Sequence, residues 1–272
     1  MARFFVTAQQ IQDQDIVIQG GDARHLAVVL RKAPGDQVAA IGPDGTEYTV
    51  RLVRVDGERC VGRIVATAPP RREPPVAITL VQALLKGERF EWVIQKGTEV
   101  GMARLVPMVS ARTVVRPPAD RLGRRLERWQ RIAGAAAQQS GRSHIPPVDE
   151  VRDVAAVAAL AARCREGGGL VILAWEGEGE RGLYDVLADL APHGWPPEMM
   201  VIVGPEGGFE LQEVETLRAA GAQTVSLGPL IFRAETAGPA LLIMVLYHAG
   251  FLGRPPQPPP VQEGAPPEVG EP

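Results

Sequence analysis

From residue 76 onward the sequence alternates short apolar runs with segments of helical period, and two of the turns between them carry few side chains. These are Gly204-Pro205-Glu206-Gly207-Gly208-Phe209 and Leu227-Gly228-Pro229-Leu230-Ile231-Phe232-Arg233-Ala234-Glu235-Thr236. Each follows an apolar run and leads into a helical pattern. Gly207 and Gly208 tolerate positive φ and let bare N–H and C=O groups approach a ligand, while Pro205 fixes the turn. A pocket built from backbone is the expected product, and a nucleoside edge suits it.

Strands are expected at Val76 to Leu80, Leu105 to Val109, Leu170 to Ala174, Met199 to Val203 and Thr224 to Leu227. Helices are expected at Glu88 to Gly97, Arg121 to Ser140 and Leu183 to Leu190. Strands alternating with helices read as α/β with a mainly parallel sheet. Ligands of such sheets sit beyond the carboxyl ends of the strands, where both glycine-rich turns fall. The last helical pattern, around Ala240 to Leu246, is apolar all round and requires burial against the sheet, a second subunit, or both.

Residues 1 to about 70 read instead as a small β-rich domain. Asp15 to Ile18, Gln37 to Ile41, Tyr48 to Val53 and Cys60 to Val65 are strand-like, Asp44-Gly45 marks a tight turn, and Ala23 to Arg31 is a helical patch. Pro69-Pro70-Arg71-Arg72-Glu73-Pro74-Pro75 can neither pair into a sheet nor continue a helix, so a division at 72/73 is expected. Residues 253–272 are rich in Pro, Gly and Glu with almost nothing to bury, and are expected to form a disordered tail.

With 272 residues, 45% of them hydrophobic, the chain can bury a core in each of two domains. No run of about 18 uncharged apolar residues occurs and the start does not resemble a secretory signal, so a cytoplasmic protein without membrane contact is expected. Cys60 and Cys164 stand alone, and His25, His144, His193 and His248 show no ligand spacing; no metal is expected. Gly177-Glu178-Gly179-Glu180-Arg181-Gly182 matches a dinucleotide fingerprint, but Glu178 and Glu180 would occupy the turn that must cradle a pyrophosphate. A dehydrogenase reading is therefore rejected. A phosphate-binding GxxxxGK[ST] and a nucleophilic GxSxG are both missing from the sequence.

The net charge of −3 conceals segregation. Lys86 to Ile145 holds twelve Lys and Arg against five Asp and Glu, a net of +7; from Pro146 onward the net is −11. In the long helical segment Leu122, Leu126, Trp129, Ile132 and Ala136 form an inner stripe that turns most of the arginines outward. A basic middle in an acidic chain suits a polyanion held on one face.

Several ordered blocks together resemble the ribosomal RNA small subunit methyltransferase E family, the 16S rRNA uridine-N3 methyltransferases of the SPOUT superfamily. They are Arg3-Phe4-Phe5-Val6, Arg24-His25-Leu26 with Val29-Leu30-Arg31, Lys86-Gly87-Glu88-Arg89, Gln95 to Gly101, Gln139-Ser140-Gly141-Arg142, Gly204 to Phe209, and Leu227-Gly228 with Ile231, Arg233, Glu235, Thr236 and Ala237. The resemblance implies a PUA-like RNA-binding β-barrel over 1–72, then a SPOUT α/β methyltransferase domain over 73–252 with a trefoil knot, and a homodimer through the knotted domain. It implies S-adenosylmethionine held by Gly204, Pro205, Glu206, Gly207, Gly208, Leu227, Gly228, Ile231, Phe232, Glu235 and Ala237. It further implies 16S rRNA or the small ribosomal subunit as partner, met by Arg24, His25, Arg31, Lys86, Arg89, Lys96 and Arg142.

The reaction implied is methylation of N3 of one uridine, with Arg233 as the catalytic candidate that steadies charge on the base. A noncatalytic RNA-binding or ribosome-assembly factor of the same fold is the alternative. Gln138 stands where the family has Glu, Glu210 where it has a Ser or Thr cap, and Phe232 where it has Leu. Gly238-Pro239 enters the final helix, which Pro239 is expected to tolerate only from the first turn.

Overall fold

The computed structural model describes residues 1–71, 73–190 and 194–253; the expected tail lies almost wholly outside them, as does Arg72. The first sheet contains β1 (Arg3–Phe5), β2 (Ile11–Gln12), β3 (Asp15–Gln19), β4 (Gln37–Ile41), β5 (Glu47–Val55) and β6 (Arg59–Ala68), in the order β1-β4-β5-β6-β3-β2. Only β1 and β4 pair in parallel. Phe4, Ile16, Ile18, Val38, Ala40, Val50 and Leu52 project into its core by strand alternation. The expected helical patch is helix α1 (Gly21–Arg24) running into one π-helical turn, His25–Val29, after which Arg31 adopts a left-handed φ of +50°. That turn seats Leu26 in the core and leaves Val28 and Val29 exposed.

The second sheet is wholly parallel, as the alternation predicts. Its strands are β7 (Ala77–Ala83), β8 (Arg104–Val109), β9 (Arg152–Asp153), β10 (Leu170–Ala174), β11 (Glu198–Val203) and β12 (Gln223–Val225), in the order β12-β10-β11-β7-β8-β9. Ile78, Leu80, Ile172, Met199, Val201 and Val203 face one layer, which contains α2 (Arg89–Val100), α3 (Ala119–Ser140), α5 (Leu183–Leu190) and α7 (Ala234–His248). Val81, Ala83, Val106, Val171, Leu173 and Ile202 face the other, with α4 (Val154–Glu166) and α6 (Leu211–Ala219). Burial on both faces is why these strands read as continuous apolar runs.

Two sequence expectations change. Helix α4 was not anticipated: Val154 to Ala162 is nearly all Ala and Val, so no polar face marks the period. Its start is fixed by Asp153, whose carboxylate accepts from the N–H of Ala156 at 2.8 Å. Pro239 is the sixth residue of α7, beyond the first turn, so the helix gives up the bond that a residue there would donate to the Glu235 carbonyl. Gly238 beside it packs against β7: an added Cβ at Gly238 would lie 3.0 Å from Gln82 Oε1.

An ion-pair cluster ties the first sheet to the linker that follows it. Glu47 on β5 receives Arg3 Nη1 at 2.6 Å and Arg71 Nε at 3.1 Å, with its own side chain 14% exposed. Burial pushes the Glu47 carboxyl up, but the hydrogen bonds and charges of Arg71 and Arg3 outweigh it and hold it below the ordinary range. Its stabilisation is therefore complete above the ordinary carboxylate pKa and is lost as the pH falls through the lowered one. Glu47→Gln should lower stability near neutrality and flatten its decline with acid, measured by denaturant unfolding at stepped pH.

Candidate functional site

Because all strands of the second sheet run the same way, the segments after β7, β10, β11 and β12 emerge at one edge. Both glycine-rich turns are among them. Gly204 leaves β11, and the turn closes where the Gly208 N–H donates to the Pro205 carbonyl at 3.0 Å. Gly208 has φ +67°, and a Cβ there would lie 2.1 Å from Glu176 Oε1. Arg112, from the segment after β8, donates from Nη1 to the Gly207 carbonyl at 3.1 Å. Phe209 returns to the core beneath Gly204, where an added Cβ would meet its ring at 2.9 Å. In the second turn Gly228 has φ +120° with open space around it, and Leu230 and Ile231 are 74% and 88% exposed.

Charged groups tie these turns to the start of α2. Glu206 Oε1 accepts from the Lys86 N–H at 3.0 Å and Arg89 Nη1 at 3.3 Å. Arg89 Nε also stands 3.7 Å from Glu235 Oε1. Beneath them the wholly buried Gln82, at the end of β7, donates from Nε2 to the Gly204 carbonyl at 3.3 Å. Gln82 Oε1 and Glu235 Oε2 are buried acceptors without a partner among the described residues. Orphaned acceptors of this kind ask for a donor that the chain alone does not supply.

The rejected dinucleotide segment has a structural task. Glu178, 8% exposed, accepts from the Thr224 hydroxyl, the Glu180 and Arg181 N–H groups and Arg218. The Thr224 hydrogen bond holds its carboxyl below the ordinary range. It thereby fastens the segment after β10 to β12. Glu178→Ala should loosen this edge and lower stability by about 1 kcal/mol, the net worth of a typical hydrogen bond, read from denaturant unfolding.

The expected site residues do not all meet. Gly204, Pro205, Glu206, Gly207, Gly208, Leu227, Gly228, Ile231, Phe232, Arg233, Glu235 and Ala237 gather at this edge with Lys86 and Arg89. Arg233 is exposed and N-caps α7; among the described residues it has no carboxylate partner, since Glu206 and Glu235 both face Arg89. Arg24, His25 and Arg31 are exposed on the other sheet's helical turn. Lys96 lies two helical turns from Arg89, paired with Glu99 at 2.9 Å beside a groove of about 550 Å³ between α2 and α3. Arg142 is enclosed between the two sheets, its side chain 10% exposed, and is not on an open face.

The basic middle is likewise divided. Arg112, Arg116, Arg128 and Arg142 bind protein acceptors, leaving Arg121, Arg124, Arg125 and Arg131 exposed on α3 without such partners among the described residues. Gln82 was missed by sequence reasoning. Its signal is a lone amide in the run from Val76 to Leu85, which is apolar but for Thr79, close to the strand end.

A family model described as an RNA methyltransferase domain matches residues 72–246. The ribosomal RNA small subunit methyltransferase E of Bacillus subtilis is 32% identical over 257 residues, covering 93% of this chain and 98% of that protein. The chain belongs to the ribosomal RNA small subunit methyltransferase E family. The family member of Mycobacterium bovis is 35% identical over 232 residues, 83% of this chain and 84% of its own length. A crystal structure of the family member from Neisseria gonorrhoeae, bound to S-adenosyl methionine, superposes with a TM-score of 0.79 at 29% identity, covering 91% of this chain and 97% of that one.

Proposed function

We propose that this chain transfers a methyl group from S-adenosylmethionine to N3 of one uridine in the 16S rRNA of the small ribosomal subunit. The observation that carries the reading is the edge described above: side-chain-poor turns from two strands, tied to α2, with two orphaned buried acceptors at their centre. Those acceptors and the exposed peptide groups fit a cationic nucleoside-bearing ligand, as the ligand of the Neisseria gonorrhoeae relative is. Gly204 to Gly208 and Leu227 to Phe232, with Glu235 and Ala237, would hold it. When bound, it supplies a methyl group already activated by a sulfonium.

The protein's own work is then alignment and charge. The carbon–sulfur bond breaks as the N3–carbon bond forms, and the N3 proton leaves to solvent. Negative charge on the uridine carbonyls is met by Arg233, whose guanidinium no carboxylate among the described residues neutralises. N3 lies on the pairing edge, so the base must be unpaired or flipped outward before it can react.

Arg24, His25 and Arg31, on what we read as a PUA-like unit over 1–72, would meet the RNA with Lys86, Arg89 and Lys96. The domain over 73–252 would be knotted and dimeric, with exposed Ile243 and Tyr247 on the apolar α7 marking the subunit contact. Reversing charge at Arg24 and Arg31 should weaken RNA binding and reduce its salt slope by about one for each phosphate no longer neutralised.

The deciding experiment is mass spectrometry of rRNA nucleosides from a strain lacking the gene. Loss of 3-methyluridine, restored by the intact gene, is expected; an unchanged nucleoside profile would refute the reaction. Titration calorimetry with S-adenosylmethionine separates the enzyme from a noncatalytic RNA-binding protein, which would give no heat.

A further inference from the structure

Arg142 follows Gly141, whose φ of +77° ends α3, and it sits at the centre of a hydrogen-bond network spanning both sheets. Its Nε and Nη2 donate to one oxygen of Glu73 at 3.0 and 2.7 Å. Its Nη1 donates to the carbonyls of Met102 at 2.6 Å and Thr98 at 3.3 Å, at the C-terminal end of α2. The other Glu73 oxygen accepts from the Ser143 N–H at 2.9 Å, and Ser143 Oγ accepts from the Arg71 N–H at 2.7 Å.

From Arg71 the network reaches Glu47 and Arg3 on the first sheet. Gln138 closes it by donating its amide to the Arg3 carbonyl, and Arg3 Nη2 reaches the Arg142 carbonyl at 3.4 Å. An amide at 138 supplies the donor that this contact needs and that an ionised carboxylate would lack.

A guanidinium is a strong phosphate ligand only when its fork is free. Here all three nitrogens are engaged and 10% of the side chain is exposed. The carbonyls it caps terminate a helix whose opposite end carries Arg89, the residue between Glu206 and Glu235. Helix α2 has 12 residues. At a rise of about 1.5 Å each it is a rod of roughly 18 Å. One end is held by the network and the other by the turns of the candidate pocket.

We infer that Arg142 and Glu73 are a positioning pair: through α2 they fix the N-terminal sheet relative to the methyl-donor turns, and Arg142 makes no contact with RNA. The inference rests on the proposed reading of those turns. RNA gripped by one unit would then present its uridine to the other at a set distance and angle.

The test uses the full chain with spin labels at Val53→Cys and Tyr184→Cys, both exposed positions, while native Cys60 and Cys164 are buried. With doubly labelled chain diluted into an excess of unlabelled chain, so that each dimer carries at most one labelled protomer, pulsed dipolar spectroscopy should give one narrow distance in the parent and a broadened distribution in both Glu73→Gln and Arg142→Ala. The salt slope of RNA binding should stay at the parental value in both, S-adenosylmethionine affinity should hold, and turnover of RNA should fall by about tenfold or more from misplacement.

An unbroadened distribution in both variants overturns the inference. So does a salt slope reduced by about one in Arg142→Ala alone, which would mark a direct phosphate contact. If Arg142→Ala does not fold, Glu73→Gln carries the test, because it leaves the guanidinium in place. The distance measurement needs neither RNA nor cofactor, so failure of the methyltransferase reading would show separately, as absent methyl transfer in the parent.

Discussion

Arg233→Ala is expected to lower methyl transfer by about 10²- to 10³-fold, the usual loss when one donor to a developing anion is removed. Affinity for S-adenosylmethionine should scarcely change. The expectation follows from what Arg233 does and does not touch. Its backbone carbonyl caps α7, accepting from the N–H groups of Thr236 and Ala237 at 2.8 and 3.0 Å, and alanine keeps that carbonyl. Its side chain is exposed, and the nearby carboxylates of Glu206 and Glu235 are taken by Arg89. Removing it therefore deletes a free charge without leaving a buried one. Arg233→Lys keeps the charge but loses the planar fork, and should recover part of the rate. Calorimetry and single-turnover methylation on the same samples would decide it: binding lost in step with rate would assign Arg233 to the cofactor or the fold.

Gly208→Val should abolish cofactor binding and lower stability by about 1–3 kcal/mol, the range for a non-glycine residue held in a sparsely populated conformation. Two obstacles coincide there. The φ of +67° opposes any side chain and opposes a β-branched one most, and the space for Cβ is held by the Glu176 carboxylate 2.1 Å away. The two are separable. Glu176 is an exposed, flexible side chain, so Gly208→Ala combined with Glu176→Ala frees the space but leaves the backbone strain. Recovery of binding in that double variant would mean that crowding dominates; continued loss would mean that the turn itself must be left-handed. Thermal unfolding with and without S-adenosylmethionine measures both effects.

The parallel sheet and the emergence of both glycine-rich turns at one of its edges were legible because their causes are local: continuous apolar runs, then glycine and proline where the chain must turn. Helix α4 was not, since a segment made of alanine and valine is equally apolar on every side. Arg142 shows a different limit. In the sequence it is one more cation in a basic stretch, and only folding brings Glu73, 69 positions away, against it. The burial of Gln82 beneath Gly204 is equally nonlocal, because β7 and β11 become neighbours only in the assembled sheet. Arg233 lies between: its place beside the turn could be read, but not that Arg89 would take both glutamates.

The strand order has a bearing on how the protein comes into being. β7, the earliest strand of the second sheet, ends between β11 and β8, so Gln82 is synthesised more than a hundred residues before the Gly204 turn that it bonds. A chain still emerging from the ribosome, released short of Glu235, would own Gln82 and Lys86 yet lack Glu235 and the rest of α7 on which the proposed site depends. Pairings this distant in sequence also form slowly. The enzyme proposed here to mark ribosomes would thus be inert until its own synthesis is nearly finished.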